Sequence, residues 1–211
     1  MQSRLIAEHL VKDAGALGWT EVGTAEAVLI QRCAAGEESA CAELVASHER
    51  MVFQLALHLL GERDEALDLS QEVFLRVFRT IHTFRGQAAL RTWIYRIAIN
   101  QARNRQRWWR RRRRSDTVQL EQYVLDHGEL RQPGDGDAPD RAFARKEMAA
   151  RLWAALDALP FDQRTVIVLR EIDGLSYEEI ADSLAVAVGT VKSRLTRARQ
   201  TLRRQLSEVR G

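Results

Sequence analysis

Near the C-terminal end, Lys192, Arg194, Arg197, Arg199, Arg203 and Arg204 follow one another with no acid before Glu208. Val191, Leu195, Ala198 and Leu202 interleave with them at spacings of four, three and four, which is the packing face of a helix. One side of that helix packs and the others are positive. Lys192, Ser193, Thr196 and Arg197 lie in its N-terminal half, where base edges would be reached, and Arg199, Arg203 and Arg204 suit phosphates. A second basic cluster runs from Arg103 to Arg114, twelve residues with eight arginines and the pair Trp108/Trp109, in a chain of formal net charge +3. Taken alone, that run is compatible with a nucleic-acid grip, a membrane-surface patch or a solvated segment.

Other chemistries find little support in the residues. The five histidines are scattered, no glycine-rich phosphate loop occurs, and no nucleophile stands beside a base, so an enzyme is the least supported class. Cys33 and Cys41, the only cysteines, have no CxxC or metal spacing and read as two reduced thiols. No metal or cofactor is expected. The N-terminus carries acids and lacks the apolar run of a signal peptide, and "MVFQLALHLL" is about half a membrane span, so a cytoplasmic chain without membrane insertion is expected.

Helices must position these side chains. With 45% hydrophobic and 29% charged residues in 211, the chain has material for real cores. The pattern from Ala25 to Trp109 is helical throughout. Thr24 is placed to cap a first helix, broken at Gly36, and a second runs from near Ser39 to Leu60 with Leu44, Val52, Leu55 and Leu59 inward. Gly61 stops it. A third starts at Asp64 with an inward stripe of Leu67, Val73/Phe74, Val77/Phe78 and Ile81; "TFRGQ" breaks the periodicity; a fourth, with Leu90, Trp93/Ile94, Ile97 and Gln101, runs into the arginine block. Tyr95 and Arg96 fall beside that stripe.

Residues 115–140 hold seven acids against Arg131 and include the breaker cluster "QPGDGDAP", which reads as a 26-residue acidic linker. Beyond it, Met148, Leu152, Ala155/Leu156 and Leu159 stripe a helix ended by Pro160, and Phe161 to Glu171 forms another. Ser176 and Glu179 make a capping box opening a short helix to about Leu184. "AVAVG" turns the chain into the basic helix, from about Val188 to Leu206. A short capped helix, a turn and a longer helix are the parts of a helix-turn-helix.

The segments "ELVASHERMVFQLALHLLGERDEALDLSQEVFLRVFRTIHTFRGQAALRTWIYRIAINQARN" and "ALPFDQRTVIVLREIDGLSYEEIADSLAVAVGTVKSRLTRARQTL" resemble, in order, the two domains of extracytoplasmic-function (group 4) sigma factors of the sigma-70 family. "FRG", "TWIYRIA" and "LREIDGLSYEEIA" are most similar to the sigma-E-like branch. The resemblance implies an all-α chain of two small helical domains joined by an acidic flexible linker, the second a four-helix helix-turn-helix domain. Its boundaries would be an N-terminal extension 1–24, a region 2 domain 25–114, the linker 115–140 and a region 4 domain 141–211. It implies a protein that binds RNA polymerase core and directs promoter recognition, melting and transcription initiation, without chemistry of its own.

By the same resemblance, Asp68, Gln71 and Glu72 match the positions that dock on the coiled coil of the largest polymerase subunit. Thr80, Phe84 and Asn100 match a pocket for a flipped minus-ten base, a step whose unstacking cost of a few kcal/mol the contacts must offset. Trp93, Tyr95 and Arg96 match the melting helix, with packing the stronger reading for Trp93, and Arg103 lies toward DNA with Arg105 and Arg107. Lys192, Ser193, Arg194, Thr196, Arg197 and Arg199 fall on the minus-35 helix. Lys192 replaces a commoner arginine and lacks its planar fork. Ala187, before the basic helix, is a poor cap, at about 1 kcal/mol.

The linker sets a geometric expectation. Twenty-six residues reach at most about 86 Å at ~3.3 Å each and as a coil average about 28 Å. Promoter elements some 25 base pairs apart lie roughly 80 Å from each other at ~3.4 Å per pair. The linker must therefore be drawn out on a promoter, and a compact form would be inactive, as an anti-sigma partner would hold it. A stand-alone helix-turn-helix regulator is the main rival; it leaves "DLSQEVF", "TFRGQ" and the acidic linker without a purpose. An RNA-binding or membrane-surface protein built on the arginine run is the second.

Overall fold

The computed structural model describes residues 23–112 and 139–207; the N-terminal extension and the linker therefore lie, almost entirely, outside the described residues. Among those described there is no strand. The first unit comprises α1 (Thr24–Ala34), α2 (Glu38–Leu60), α3 (Arg63–Thr80), a 3₁₀ turn (Ile81–Thr83) and α4 (Leu90–Arg112). The second comprises α5 (Pro139–Asp157), α6 (Phe161–Ile167), a π-helical turn (Val168–Ile172), α7 (Tyr177–Leu184) and α8 (Val188–Ser207).

The punctuation follows from the residues. Gly61 takes φ +80°, a left-handed conformation that costs glycine nothing, and its N–H closes α2 on the Leu57 carbonyl at 2.8 Å. Gly86 has φ +65° at the "FRG" turn. Thr24 is the first residue of α1 rather than its cap; Gly23 holds the cap position. Ser176 and Glu179 form the expected capping box, the Glu179 N–H donating to Ser176 Oγ at 3.1 Å and the Ser176 N–H to Glu179 Oε2 at 2.8 Å. The turn after α7 places Ala185 at φ 54°, ψ 50°, a left-handed position that costs a non-glycine residue roughly 1–2 kcal/mol. The basic helix does begin at Val188, directly after Ala187.

Two inward stripes differ from the expectation. On α3 the buried positions are Ala66, Leu69, Val73, Phe74 and Val77, which leaves Leu67 outward. On α5, Ala155 and Leu156 are buried, as is Leu159 just beyond its end, and Met148 and Leu152 are exposed, with Trp153 packed against the core in their place. The helix from Phe161 also changes character. At Val168 it widens into a π turn, with the Asp173 N–H reaching back to the Val168 carbonyl at 3.0 Å. That wider turn delivers Asp173 against the first unit.

The two units share one continuous apolar core. In the first, α4 lies across α2 and α3 and buries Leu90, Ile94, Ala98, Ile99 and Ala102. In the second, α8 packs on α6 and α7 through Val191, Leu195 and Ala198. The units meet where α7 lies on α4 and α6 reaches α2.

Candidate nucleic-acid interface

The second unit engages the helix expected to read the minus-ten element at Arg91, Arg96 and Arg103. Tyr95 is fully buried, a correction to its expected place beside the inward stripe. Its hydroxyl accepts from Arg91 Nη2 at 3.1 Å, and the same nitrogen donates to the Asp173 carbonyl at 3.1 Å. Burial, then the charge of Asp173, pushes the Tyr95 phenol up to about 12. Burial likewise lifts the Asp173 carboxyl to about 6, against the hydrogen bond with Tyr95 and the charge of Arg91, which pull it down.

One turn on, Arg96 donates through Nε to the Asp182 carbonyl at 3.1 Å and through Nη2 to the same oxygen. Asp182 lies in the last turn of α7, where the helix dipole is negative and its carbonyl otherwise accepts only the Ala185 N–H at 3.3 Å, so Arg96 acts as a charged cap on the helix-turn-helix. Arg103 pairs with Asp162 at 3.1 Å, its guanidinium 5.6 Å from the Phe161 ring centroid.

A further staple joins the units through a residue to which the sequence assigns no role. Arg164 on α6 is buried, donates to the Leu59 carbonyl at the end of α2 at 3.1 Å, and pairs with Asp157 at 2.6 Å. One guanidinium thus serves the C-terminal ends of α2 and α5. Beside it the Trp153 ring stacks on His58, with centroids 4.8 Å apart. "PFDQR" carries no periodic signal for this role, because only the fold brings Leu59 to Arg164.

The arginine run divides. Arg103 reaches the second unit through Asp162. Arg105, expected toward DNA, instead binds the acids of α3, Glu65 Oε2 at 2.7 Å and Glu72 Oε1 at 2.6 Å, and is mostly buried. Gln101 Nε2 also donates to the Glu72 carbonyl at 3.1 Å. Arg107 is exposed. Trp109 packs against the core, whereas Trp108 is 49% exposed.

Asp68, Gln71 and Glu72 are all exposed on the outer face of α3. Leu67 and Leu75, 43% and 54% exposed, share that face. Large apolar groups among polar ones suit a protein dock better than open solvent. Of the expected base pocket, Phe84 is buried and its ring lies 5.4 Å from that of Trp93, tilted by 59°. Trp93 thus packs, as its stripe indicated. The Thr80 hydroxyl donates to the Arg76 carbonyl at 2.7 Å, and Asn100 is exposed on α4. A cavity of about 440 Å³ lies between α1 and the loop, lined by Ile30, Ala34, Thr83 and Phe84 among others; Thr80 and Asn100 do not line it.

On α8, Lys192, Ser193, Thr196 and Arg197 are exposed. The Ser193 and Thr196 hydroxyls donate to the carbonyls of Thr190 and Lys192, at 2.9 and 3.0 Å. Arg194 instead pairs with Asp162 at 3.1 Å and Arg199 with Glu171 at 2.6 Å. Lys192 Nζ lies 5.5 Å from the Tyr177 ring, which Arg170 also covers at 4.6 Å. No group of side chains that could hold a metal occurs among the described residues.

A paired set of helical units, one ending in a basic helix and the other a helix-turn-helix, is the build of a sigma factor. Residues 44–115 match the model of Sigma-70 region 2, and residues 149–202 that of Sigma-70, region 4. The chain belongs to the sigma-70 family, in its extracytoplasmic-function group. It is 36% identical over 181 residues to the RNA polymerase sigma-H factor of Pseudomonas aeruginosa, covering 86% of this chain and 93% of that protein. It is 35% identical over 178 residues to the ECF RNA polymerase sigma-E factor of Escherichia coli K12, covering 83% and 91%. Among solved structures, the sigma factor RpoE of Bartonella quintana, in complex with the anti-sigma factor NepR, superposes with TM-score 0.57 at 25% identity over 79% of this chain and 96% of that one.

Proposed function

We propose that this sigma factor docks on core RNA polymerase through the α3 face bearing Asp68, Gln71 and Glu72, reads the minus-ten element with α4 and the loop before it, and reads the minus-35 element with α8. The working domains are residues 25–114 and 141–211, joined by 115–140. The protein is an initiation factor without chemistry of its own and works in the cytoplasm, beside core enzyme and DNA. No described helix is long and apolar enough to cross a membrane.

One observation carries the account. Of the α4 side chains assigned to promoter contact, Tyr95 is buried and joined through Arg91 to the Asp173 carbonyl, and Arg96 and Arg103 bind Asp182 and Asp162 of the second unit. The arrangement is therefore a resting form, and opening it uncovers the minus-ten helix and frees Arg103 and Arg194 from Asp162. The Bartonella quintana relative was solved with an anti-sigma factor, and we infer that a protein of that class holds this chain closed.

Copurification with core polymerase at low salt, followed by in vitro transcription from a promoter library, tests the reading. Retention on core with initiation at a defined pair of promoter elements supports it. A chain that fails to bind core at low salt but binds a palindromic duplex as a dimer would instead be a stand-alone regulator.

A further inference from the structure

The two cysteines, with seven residues between them and without a motif, are brought together by the turn between α1 and α2. Cys33 Sγ and Cys41 Sγ lie 2.8 Å apart, and both are free thiols. Gly36, at φ +84°, reverses the chain between them. An exposed network fixes the same turn: Arg32 binds the Glu37 carboxylate, its Nε 2.8 Å from Oε2, and Ser39 Oγ donates to Glu37 Oε1 at 2.6 Å. Neither sulfur has another thiol to pair with, since the chain holds two cysteines.

Their surroundings differ. Cys33 is buried, 5% exposed, and burial, then the hydrogen bond and charge of Cys41, push its thiol up to about 12. Cys41, at the start of α2, is only partly buried. An accessible thiol lying on a buried one is the order required of an attacking and a resolving sulfur.

We propose that Cys33 and Cys41 form a reversible redox site that a hydroperoxide oxidises to an intramolecular disulfide. The Cys41 thiolate attacks the outer peroxide oxygen; an S–O bond forms, the O–O bond breaks, and the alcohol, or water from hydrogen peroxide, leaves with a proton. Cys33 sulfur then attacks the Cys41 sulfenic acid. The S–S bond forms, the S–O bond breaks, and hydroxide departs as water with the Cys33 proton. Two thiols and one hydroperoxide thus become a disulfide, an alcohol and a water, and a dithiol reductant reverses the change.

The place gives the site a consequence. Ala34, next to Cys33, and Ile30, one turn earlier, line the cavity against residues 81–85. On the proposed promoter-reading role, those residues lead into the loop that reads the minus-ten element, so the disulfide ties the helix that backs that loop.

The full chain treated with hydrogen peroxide, alongside a free thiol of ordinary reactivity, tests the proposal by thiol counting and intact mass. Expected are a fall from two thiols per chain to none, a monomer lighter by two hydrogens, and full recovery with dithiothreitol. Cys33→Ser, or Cys33→Ala if the buried serine unfolds the chain, should leave a Cys41 sulfenic acid that dimedone traps. Cys41→Ser should stay unlabelled. Thiols that persist while the reference thiol is consumed, or oxidation that yields only cross-linked dimers, would overturn it, and neither result bears on core binding or promoter use.

Discussion

Asp162 binds Arg103 through Oδ1 and Arg194 through Oδ2, each at 3.1 Å, so one carboxylate of α6 ties the basic end of α4 to the helix assigned to minus-35 DNA. The side chains are partly exposed, and each pair is therefore worth only about 0.2–1 kcal/mol. Asp162→Ala should raise the affinity of the free chain for a minus-35 duplex about 2- to 10-fold at low salt, by weakening closure and freeing Arg194. Titration by fluorescence anisotropy measures it. An unchanged affinity contradicts the restraint.

Asp173 makes closure sensitive to acid. Its carboxyl is raised from 3.8 to about 6 in the closed form, so a proton binds that form more tightly than an open one. The contribution to closure is fully present below pH 3.8 and is lost as the pH rises through about 6. It amounts to at most about 3 kcal/mol at ~1.4 kcal/mol per unit. The closed fraction, followed by small-angle scattering across this window, should fall as pH rises, and Asp173→Asn should flatten the profile. Equal profiles for the two proteins would remove Asp173 from the account.

Arg164 should dominate the stability of the junction. Removing the buried guanidinium strands the Leu59 carbonyl and leaves the partly exposed Asp157 carboxylate to water, at about 1–3 kcal/mol, and Arg164→Lys should restore little because lysine has no fork. Thermal unfolding of Arg164→Ala and Arg164→Lys checks this; a loss below about 1 kcal/mol for both contradicts the capping role.

On α8 the exposed and the outlying arginines should behave differently. Arg197→Ala is expected to relax minus-35 preference at one position by about 1–3 kcal/mol, whereas Arg203→Ala should weaken all sequences alike and lower the salt slope by about 1. Binding of a minus-35 duplex series at several salt concentrations separates them. The reverse pattern would shift the base-reading role along the helix.

Much of this architecture is legible in the sequence. The helix order, the stop at Gly61, the loop turn at Gly86, the Ser176/Glu179 capping box and the packing face of α8 all follow from local rules. Local rules fail where a helix has two buried sides. α4 packs Ile94 and Ala98 on its own unit and Tyr95 under the second, and a single-stripe reading places Tyr95 at the edge. Leu67 neighbours the true stripe through Ala66, so periodicity alone turns it inward, and on a dock an outward leucine has a use. Arg105 and the Cys33–Cys41 contact depend on where other elements fall, which spacing along one segment does not encode.

The central claim is that core polymerase must separate the helical units that rest together over α4. Spin labels at Glu49→Cys and Gln200→Cys, in a Cys33→Ser/Cys41→Ser background, report the separation by electron double resonance, with the chain alone and bound to core. The account predicts one short distance for the free chain and a population moved outward by tens of ångströms on core, as elements about 80 Å apart demand at ~3.4 Å per base pair. The same short distance in a transcriptionally active holoenzyme would contradict it.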